Sequence, residues 1–406
     1  MIFPTSLFSQ VLSLISKPDF YKNVRELKAE KASKGFSCWD QFVSMLFCQI
    51  AQAKSLREIC YGLRSCLGKL IHLGVSSDPK RSTLSYANAH RPWQLYEKTF
   101  YSLLNVCRTA ALCKKKKFRF KNKLLSMDAS TVELCATMFD WAKFRQTKGA
   151  IKLHMLLDHD GYLPVFVHIT EGNIHEVNVA KTLDLIPESI VAMDRGYNDY
   201  ELYYRWTKKR VWFVTRLKQN AAYEVVDERH LPLNRNILSD QIIRFTGYSS
   251  RKKCPVELRR IVMWDTKKQE KIVLLTNQMT FGATTVAAIY KDRWEIEIFF
   301  KMLKQNLKIK TFVGTSANAL KIQIWTALIA MLLLKYLKLK SGFDLSFSNM
   351  VALLHWNLFT YRSLWDWLDA PFGTPPIAPP AQLPLPFLDS ICKAATVKNA
   401  EGGGCF

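Results

Sequence analysis

Apolar residues recur at helical spacing through most of the first 117 positions. Phe36 to Ala53 is one such stretch. Ser55, followed by Glu58 and Ile59, has the form of a capping box and predicts a new helix there. Pro92 suits the first turn of a helix running to about Cys113. At Leu124 the pattern changes to short apolar runs bounded by turn residues. Leu124–Met127, Ile151–Leu157, Leu163–Ile169, Ser189–Met193 and Val211–Leu217 read as strands, the second and third joined across Asp160-Gly161. Asn173–Leu185 and Asp199–Lys209 read as helices between them. Strand–helix–strand order predicts a mixed sheet covered by helices.

Residues 218–280 break that rhythm. They are rich in Arg, Lys and β-branched residues, with strands expected at Val256–Trp264 and Lys271–Thr276. Helices are expected again over Thr284–Lys308, Ala317–Lys338 and Ser346–Thr360. From Ala370 the chain has seven prolines between Pro371 and Pro386 and reaches Gly402-Gly403-Gly404, the composition of an extended segment. The expected division is a helical N-terminal region (1–117), an α/β core in two parts (118–217 and 281–368), a β-rich insertion (218–280) and a proline-rich tail (369–406).

Charge adds a constraint that the pattern does not. The 406 residues carry 58 Lys+Arg against 34 Asp+Glu, a net charge of +24. Basic groups at that excess repel one another, and a polyanion such as DNA or RNA is the simplest compensation. On charge alone a ribosomal-type or membrane-surface protein stays open. The run Lys114–Lys117, with Arg119, Lys121 and Lys123, reads equally as a solvated linker or a phosphate contact. None of the ten cysteines forms a C-x-x-C pair, which argues against a zinc ribbon and fits a reducing, cytoplasmic setting. Met1–Gln10 lacks the features of a signal peptide. The apolar run Ile324–Leu334, flanked by Lys321, Lys335 and Lys338, is too short to span a bilayer and reads as a buried core helix.

Candidate chemistry begins with two aspartates. Asp128 and Asp194 each follow an apolar run. If the first and fourth strands are neighbours, both carboxylates project to one edge and can share hard divalent cations. On a helix through residues 290–304, Arg293, Glu297, Lys301 and Lys304 lie within about 60° of Tyr290 on either side. One acid among cations could bind metal beside phosphate-binding groups. A solvated face with Glu297–Lys301 pairing accounts for it too.

The residues resemble a known family at this point. Tyr290, Arg293, Glu297 and Lys304 match the Tyr-(2)-Arg-(3)-Glu-(6)-Lys signature of DDE transposases of the IS-4 group of bacterial insertion sequences. Ser126-Met127-Asp128-Ala129-Ser130-Thr131 and Met193-Asp194-Arg195-Gly196-Tyr197 resemble that family's other two acidic motifs, and Lys148–His154 its second strand. The acids are 66 and 103 residues apart, and the longer gap is where the family carries a β-rich insertion. The signature selects Glu297 over Glu295. The similarity covers about residues 120–340.

The resemblance implies an α/β, ribonuclease-H-like mixed sheet with helices on both faces, interrupted by the β-rich insertion, plus the helical N-terminal domain. It implies Asp128, Asp194 and Glu297 as catalytic and metal-binding residues for two Mg²⁺ ions, with Mn²⁺ able to substitute, roughly 3.5–4 Å apart and bridged by Asp128. Water would cut at the transposon end, and the freed 3′-OH would attack the opposite strand to give a hairpin before insertion into target DNA. Arg293 and Lys304 would bind backbone phosphates and Tyr290 would hydrogen-bond one, with Lys301 and Arg195 as lesser DNA contacts. Tyr197 would touch DNA or pack under its loop. Trp264 would stack on or wedge apart the DNA, or pack in the core, and His154 would hydrogen-bond within the sheet. Partners would be double-stranded DNA, both terminal inverted repeats and target, with a homodimer on DNA, nucleoid association and no membrane. An inactive or domesticated DNA-binding relative is the alternative.

Overall fold

Serine caps punctuate the N-terminal helical pattern, and the chain obeys them. The computed structural model describes residues 5–373 apart from 32, 34, 67, 113–115, 136–142, 146–147, 233–235 and 310, so the proline-rich tail past 373 lies outside the described residues. The helices α1 (Leu7–Leu12), α2 (Lys17–Glu26), α3 (Cys38–Ile50), α4 (Leu56–Arg64), α5 (Arg81–His90) and α6 (Gln94–Leu112) come first. Ser16, Ser37 and Ser55 each accept the backbone N–H three residues on. The Glu58 carboxylate turns to the Lys54 N–H (2.8 Å) rather than to that of Ser55, so the reciprocal capping box forms at Ser37 and Asp40 instead. α6 starts just beyond Pro92, whose carbonyl accepts from Leu95 N–H. Every residue of α3 is buried, as expected of a helix enclosed on all sides.

The strands follow: β1 (Leu124–Cys135), β2 (Lys143–Arg145), β3 (Lys148–Asp158), β4 (Leu163–Glu171), then α7 (Glu176–Thr182), β5 (Ile190–Met193), α8 (Tyr200–Lys208) and β6 (Trp212–Arg216). Next come β7 (Tyr223–Glu228), β8 (Ile237–Phe245), α9 (Tyr248–Lys253), β9 (Leu258–Asp265) and β10 (Glu270–Thr276). They form one mixed sheet in the order β2-β3-β1-β5-β6-β10-β9-β8-β7, with β4 also paired to β3. β1, β5 and β6 are mutually parallel neighbours, whereas β3 runs antiparallel to β1. The first strand does not end at Asp128. It stays paired to β3 from Leu125↔Asp158 to Cys135↔Lys148, so Asp128 sits mid-strand opposite Met155. Residues 218–280 extend the same sheet through β10, which pairs with β6.

Period-two alternation divides the sheet's faces. Met127, Leu156, Val191, Met193 and Phe213 pack on one side with residues of α7 and α8. Leu124, Ile190, Ala192 and Val214 point to the other side, under α10 (Ala283–Asp292). The expected helix over 284–308 breaks at Arg293, and α11 (Trp294–Asn306) follows. Ile296 N–H turns back to Arg293 O (3.1 Å), three residues away, which tightens the joint. α12 (Ala317–Lys340), α13 (Phe347–Asn357) and α14 (Leu364–Asp369) complete the chain's described part.

α12 is long and apolar enough to cross a membrane by length and composition, but 83% of its apolar window is buried inside the protein. It packs against α3 and α6, so the N-terminal helices share one core with α11–α14 and with β1, β3 and β4. Two buried glutamines pin the turn after α11. Gln49 accepts from Lys308 N–H (2.8 Å), and Gln323 donates to the carbonyls of Lys308 (2.6 Å) and Thr311 (2.8 Å). The N-terminal body thereby fixes where α11 stops.

Candidate active site

The parallel pairing of β1 and β5 assembles the acidic edge. Met127 of β1 is level with Met193 of β5, so Asp128, within β1, and Asp194, just past β5, follow adjacent positions at the same height. Asp128 shares its strand face with Leu124, the face that α10 covers, and α11, which carries Glu297, packs against β1. The loop behind Asp194 is tied to β6. Asn198 donates to Arg216 O (2.9 Å) and accepts from Thr215 Oγ1 (3.1 Å).

The electrostatics of this edge are unbalanced. Burial pushes the Asp128 carboxyl up to about 7; Glu297 and Asp194 push the same way, while the Ala129 N–H (2.8 Å) and Arg293 oppose them. Asp194 is exposed and Glu297 half-buried. Glu297 Oε1 accepts from the Arg293 guanidinium at 2.6 Å. Arg293 is itself buried and lies over the Tyr290 ring at 5.6 Å, as does Arg216. Among the described residues no three acids are already closed into one ligand cluster. The donor set is nevertheless all oxygen, which suits a hard divalent cation. The raised Asp128 acid marks negative charge that such a cation would relieve.

The other expected DNA contacts scatter. Tyr290 and Arg293 are buried, so neither presents its polar atoms to a ligand in this arrangement. Lys304 Nζ donates to Thr131 O on β1 (2.8 Å), while Lys301 and Arg195 are exposed. Trp264 alternates onto the sheet face opposite Ile261 and Met263, away from α10, and so away from the face of Asp128. Tyr197 is buried under its loop. His154 Nε2 meets Thr170 Oγ1 (2.9 Å), and burial, reinforced by Lys152 and His168, lowers the ring to about 4. Of the basic run, Lys116 pairs with Asp160 (3.1 Å), Lys117 with Asp292, and Lys123 with Asp158 and Asp160. Sequence reasoning missed Arg216, which ends β6 as Asp194 follows β5; its strand-end position was the available signal. Trp294 was also missed: it opens α11 with 53% of its surface exposed and Lys268 over its ring.

A second acid on the same helices is fully engaged. Asp292, the last residue of α10, bonds His159 Nδ1 (2.6 Å), the Tyr162 hydroxyl (3.2 Å) and Lys117. Burial works to raise its carboxyl, but the bonds from His159 and Lys117 outweigh that and hold it below the ordinary range. His159 Nε2 in turn lies 2.7 Å from the Ser126 hydroxyl.

The model of the transposase DDE domain matches residues 119–333, more than half of the chain, and a domain of unknown function (DUF4372) matches residues 4–76. A Sinorhizobium fredii protein named as transposase y4zB is 29% identical over 63% of this chain and 71% of its own length. A Geobacillus stearothermophilus protein named as the transposase of insertion sequence element IS5377 is 28% identical over 70% of this chain and 74% of its own. A Synechocystis protein named as the transposase of element IS4SA is 27% identical, over 63% and 71%.

Proposed function

The chain belongs to the transposase DDE-domain family, in its IS4 group, and is a DNA-binding, divalent-metal-dependent enzyme of the DDE type; from that premise we propose that Asp128, Asp194 and Glu297 are its catalytic metal ligands. The observation that carries the proposal is the pair of carboxylates at one height on adjacent parallel strands, Asp128 within β1 and Asp194 just past β5, with Asp128 under-compensated on the strand against which the helix of Glu297 packs. The strand order β4-β3-β1-β5-β6, antiparallel then parallel, supports a ribonuclease-H-like core for residues 118–217 and 281–368.

In this reading two Mg²⁺ ions, or Mn²⁺, bound there supply Lewis-acid activation of the attacking and leaving oxygens of a phosphodiester. Asp128 and Asp194 hold fixed positions because their strands do. Glu297 joins them by releasing Arg293, and the freed guanidinium turns to a DNA phosphate beside the cut. Tyr290 keeps Arg293 and Arg216 in place. Arg195, Lys301 and Lys304 contact the backbone farther out. Cleavage frees a 3′-OH that attacks the opposite strand, forming a hairpin that is reopened before strand transfer, in cut-and-paste fashion. Trp264 lies beyond the reach of these steps unless DNA wraps round the sheet edge. The N-terminal helices take the terminal inverted repeats, with two copies of the chain pairing the two ends. A groove of about 770 Å³ beside α4 and α5, lined by Arg57, Arg81, Tyr86 and His90, has the cations and aromatics such contact needs.

The test is nicking and joining of DNA bearing the element's ends, with Mg²⁺ or Mn²⁺. Loss of both reactions in Glu297→Gln, with DNA binding kept, is expected. Equal activity in the variant and the wild-type protein would sink the assignment. Binding by the wild-type protein without cleavage under either metal would favour the inactive, domesticated alternative.

A further inference from the structure

Ser126, His159 and Asp292 form a hydrogen-bonded chain that the cleavage chemistry does not use. Asp292 can only accept from His159, so Nδ1 carries a proton, and Nε2 is the ring atom that pairs with the Ser126 hydroxyl. The order is that of a nucleophilic serine site, but Ser126 has no exposed surface, so no substrate reaches its oxygen. The placement of the chain gives it another use. Ser126 lies two residues ahead of Asp128 on the same face of β1. The His159 N–H also bonds Leu124 O (3.1 Å), so the imidazole is anchored to β1 through both backbone and ring. At the far end, Asp292 immediately precedes Arg293, the joint between α10 and α11, whose guanidinium holds Glu297. Tyr162 and Lys117 add bonds to the same carboxylate. One end of the chain therefore fixes the strand of Asp128 and the other the helix pair of Glu297.

Resting on the reading of Asp128, Asp194 and Glu297 as ligands, we propose that the Ser126–His159–Asp292 chain is a positioning latch: it sets the spacing between β1 and the α10–α11 joint, and so the affinity of the carboxylate edge for a divalent cation. A fixed separation matters because ligands on two elements bind a cation weakly when the elements can drift apart.

The test is Mn²⁺ binding to the full chain, read from the paramagnetic resonance of free Mn²⁺, together with nicking as a function of Mn²⁺. Asp292→Asn should weaken Mn²⁺ binding about tenfold, and Ser126→Ala about threefold, with the number of sites unchanged. The half-saturating Mn²⁺ for nicking should rise by the same factors, while the rate at saturating Mn²⁺ stays within about a factor of two. A latch that only holds the fold together would lower the melting temperature and leave Mn²⁺ affinity alone. Wild-type Mn²⁺ affinity in either folded variant therefore overturns the proposal. If Asp292→Asn fails to fold, Ser126→Ala decides. Asp128→Asn separates the two levels. If it abolishes Mn²⁺ binding while the latch variants bind normally, the latch alone is wrong. If it binds as the wild-type protein does, the ligand assignment is wrong and the latch falls with it.

Discussion

Two carboxylates lie near the α10–α11 joint, and their surroundings differ in kind. Asp292 is buried with an imidazole, a phenol and an ammonium upon it, and its acid is held low. Asp128 is half-buried with, among the described residues, one backbone N–H upon it and two other acids nearby, and its acid is raised to about 7. A protein that partners one buried acid so fully could have partnered the other. That it has not supports the proposal that Asp128 is kept ready for a cation from outside.

The largest effect should come from the acid that bridges the two conditions. Glu297 is held by Arg293 yet faces Asp128. Glu297→Gln keeps a hydrogen-bond acceptor for Arg293 but loses the charge a metal needs. Nicking of transposon-end DNA should fall by on the order of 10³-fold or more, about 4 kcal/mol of transition-state stabilisation. DNA binding without metal and the melting temperature should stay near wild type. A fall of less than tenfold would place Glu297 outside the site.

The contrast between the two aspartates predicts stability changes of opposite sign. Asp292→Asn removes the charge that His159 and Lys117 serve, and should destabilise the protein by roughly 2–3 kcal/mol. Asp128→Asn should do the reverse in metal-free buffer. The folded acid near 7 lies above the ordinary carboxylate value of 3.8. The folded state thus holds that proton more tightly than the unfolded chain does. Its contribution is fully present below about pH 4 and is lost as pH rises through 7. At pH 8 the wild-type protein carries the whole cost, and Asp128→Asn should be more stable by on the order of 2 kcal/mol. The gain should vanish near pH 4. Thermal melts of both variants at the two pH values check this, and destabilisation by Asp128→Asn at pH 8 would break the comparison.

That comparison was only half legible in the sequence. Asp128 and Asp194 stood out because apolar runs lead into them, and such runs are what a buried parallel strand requires. The extent of β1 did not stand out, since its continuation past Asp128 is held by pairing to β3 rather than by its own apolar pattern. β7 was hidden for a related reason: its residues are almost all exposed, so no alternation announces it. The break at Arg293 leaves helical spacing nearly intact and is invisible to periodicity. The stripe from Tyr290 to Lys304 was read as one face, but the structure buries Tyr290 and Arg293 and leaves Lys301 exposed, and the burial depends on β6 and on Arg216, which are distant in sequence. His159 and Asp292 are 133 residues apart, and no local pattern could join them. Lys116 and Lys117 looked like a solvated linker or a phosphate contact because their acidic partners, Asp160 and Asp292, lie in later segments.

The smallest effects should separate two lysines on α11. Lys304 reaches across to Thr131 O on β1, the strand that carries Asp128. Lys301 is exposed on the same helix. If both contact DNA phosphate, each substitution by Ala should flatten the dependence of log affinity on log salt by about one unit. Lys304→Ala should in addition slow cleavage by about tenfold, because the bond it loses also fixes α11 against β1. Lys301→Ala should weaken binding by only about threefold and leave the rate of the bound complex unchanged, since a solvated lysine's phosphate contact is weak and fixes nothing in the protein. Gel-shift titrations at several salt concentrations, paired with single-turnover nicking, measure both quantities. Equal loss of rate in the two variants would mean that Lys304 acts as a phosphate contact and not as a strut between helix and strand.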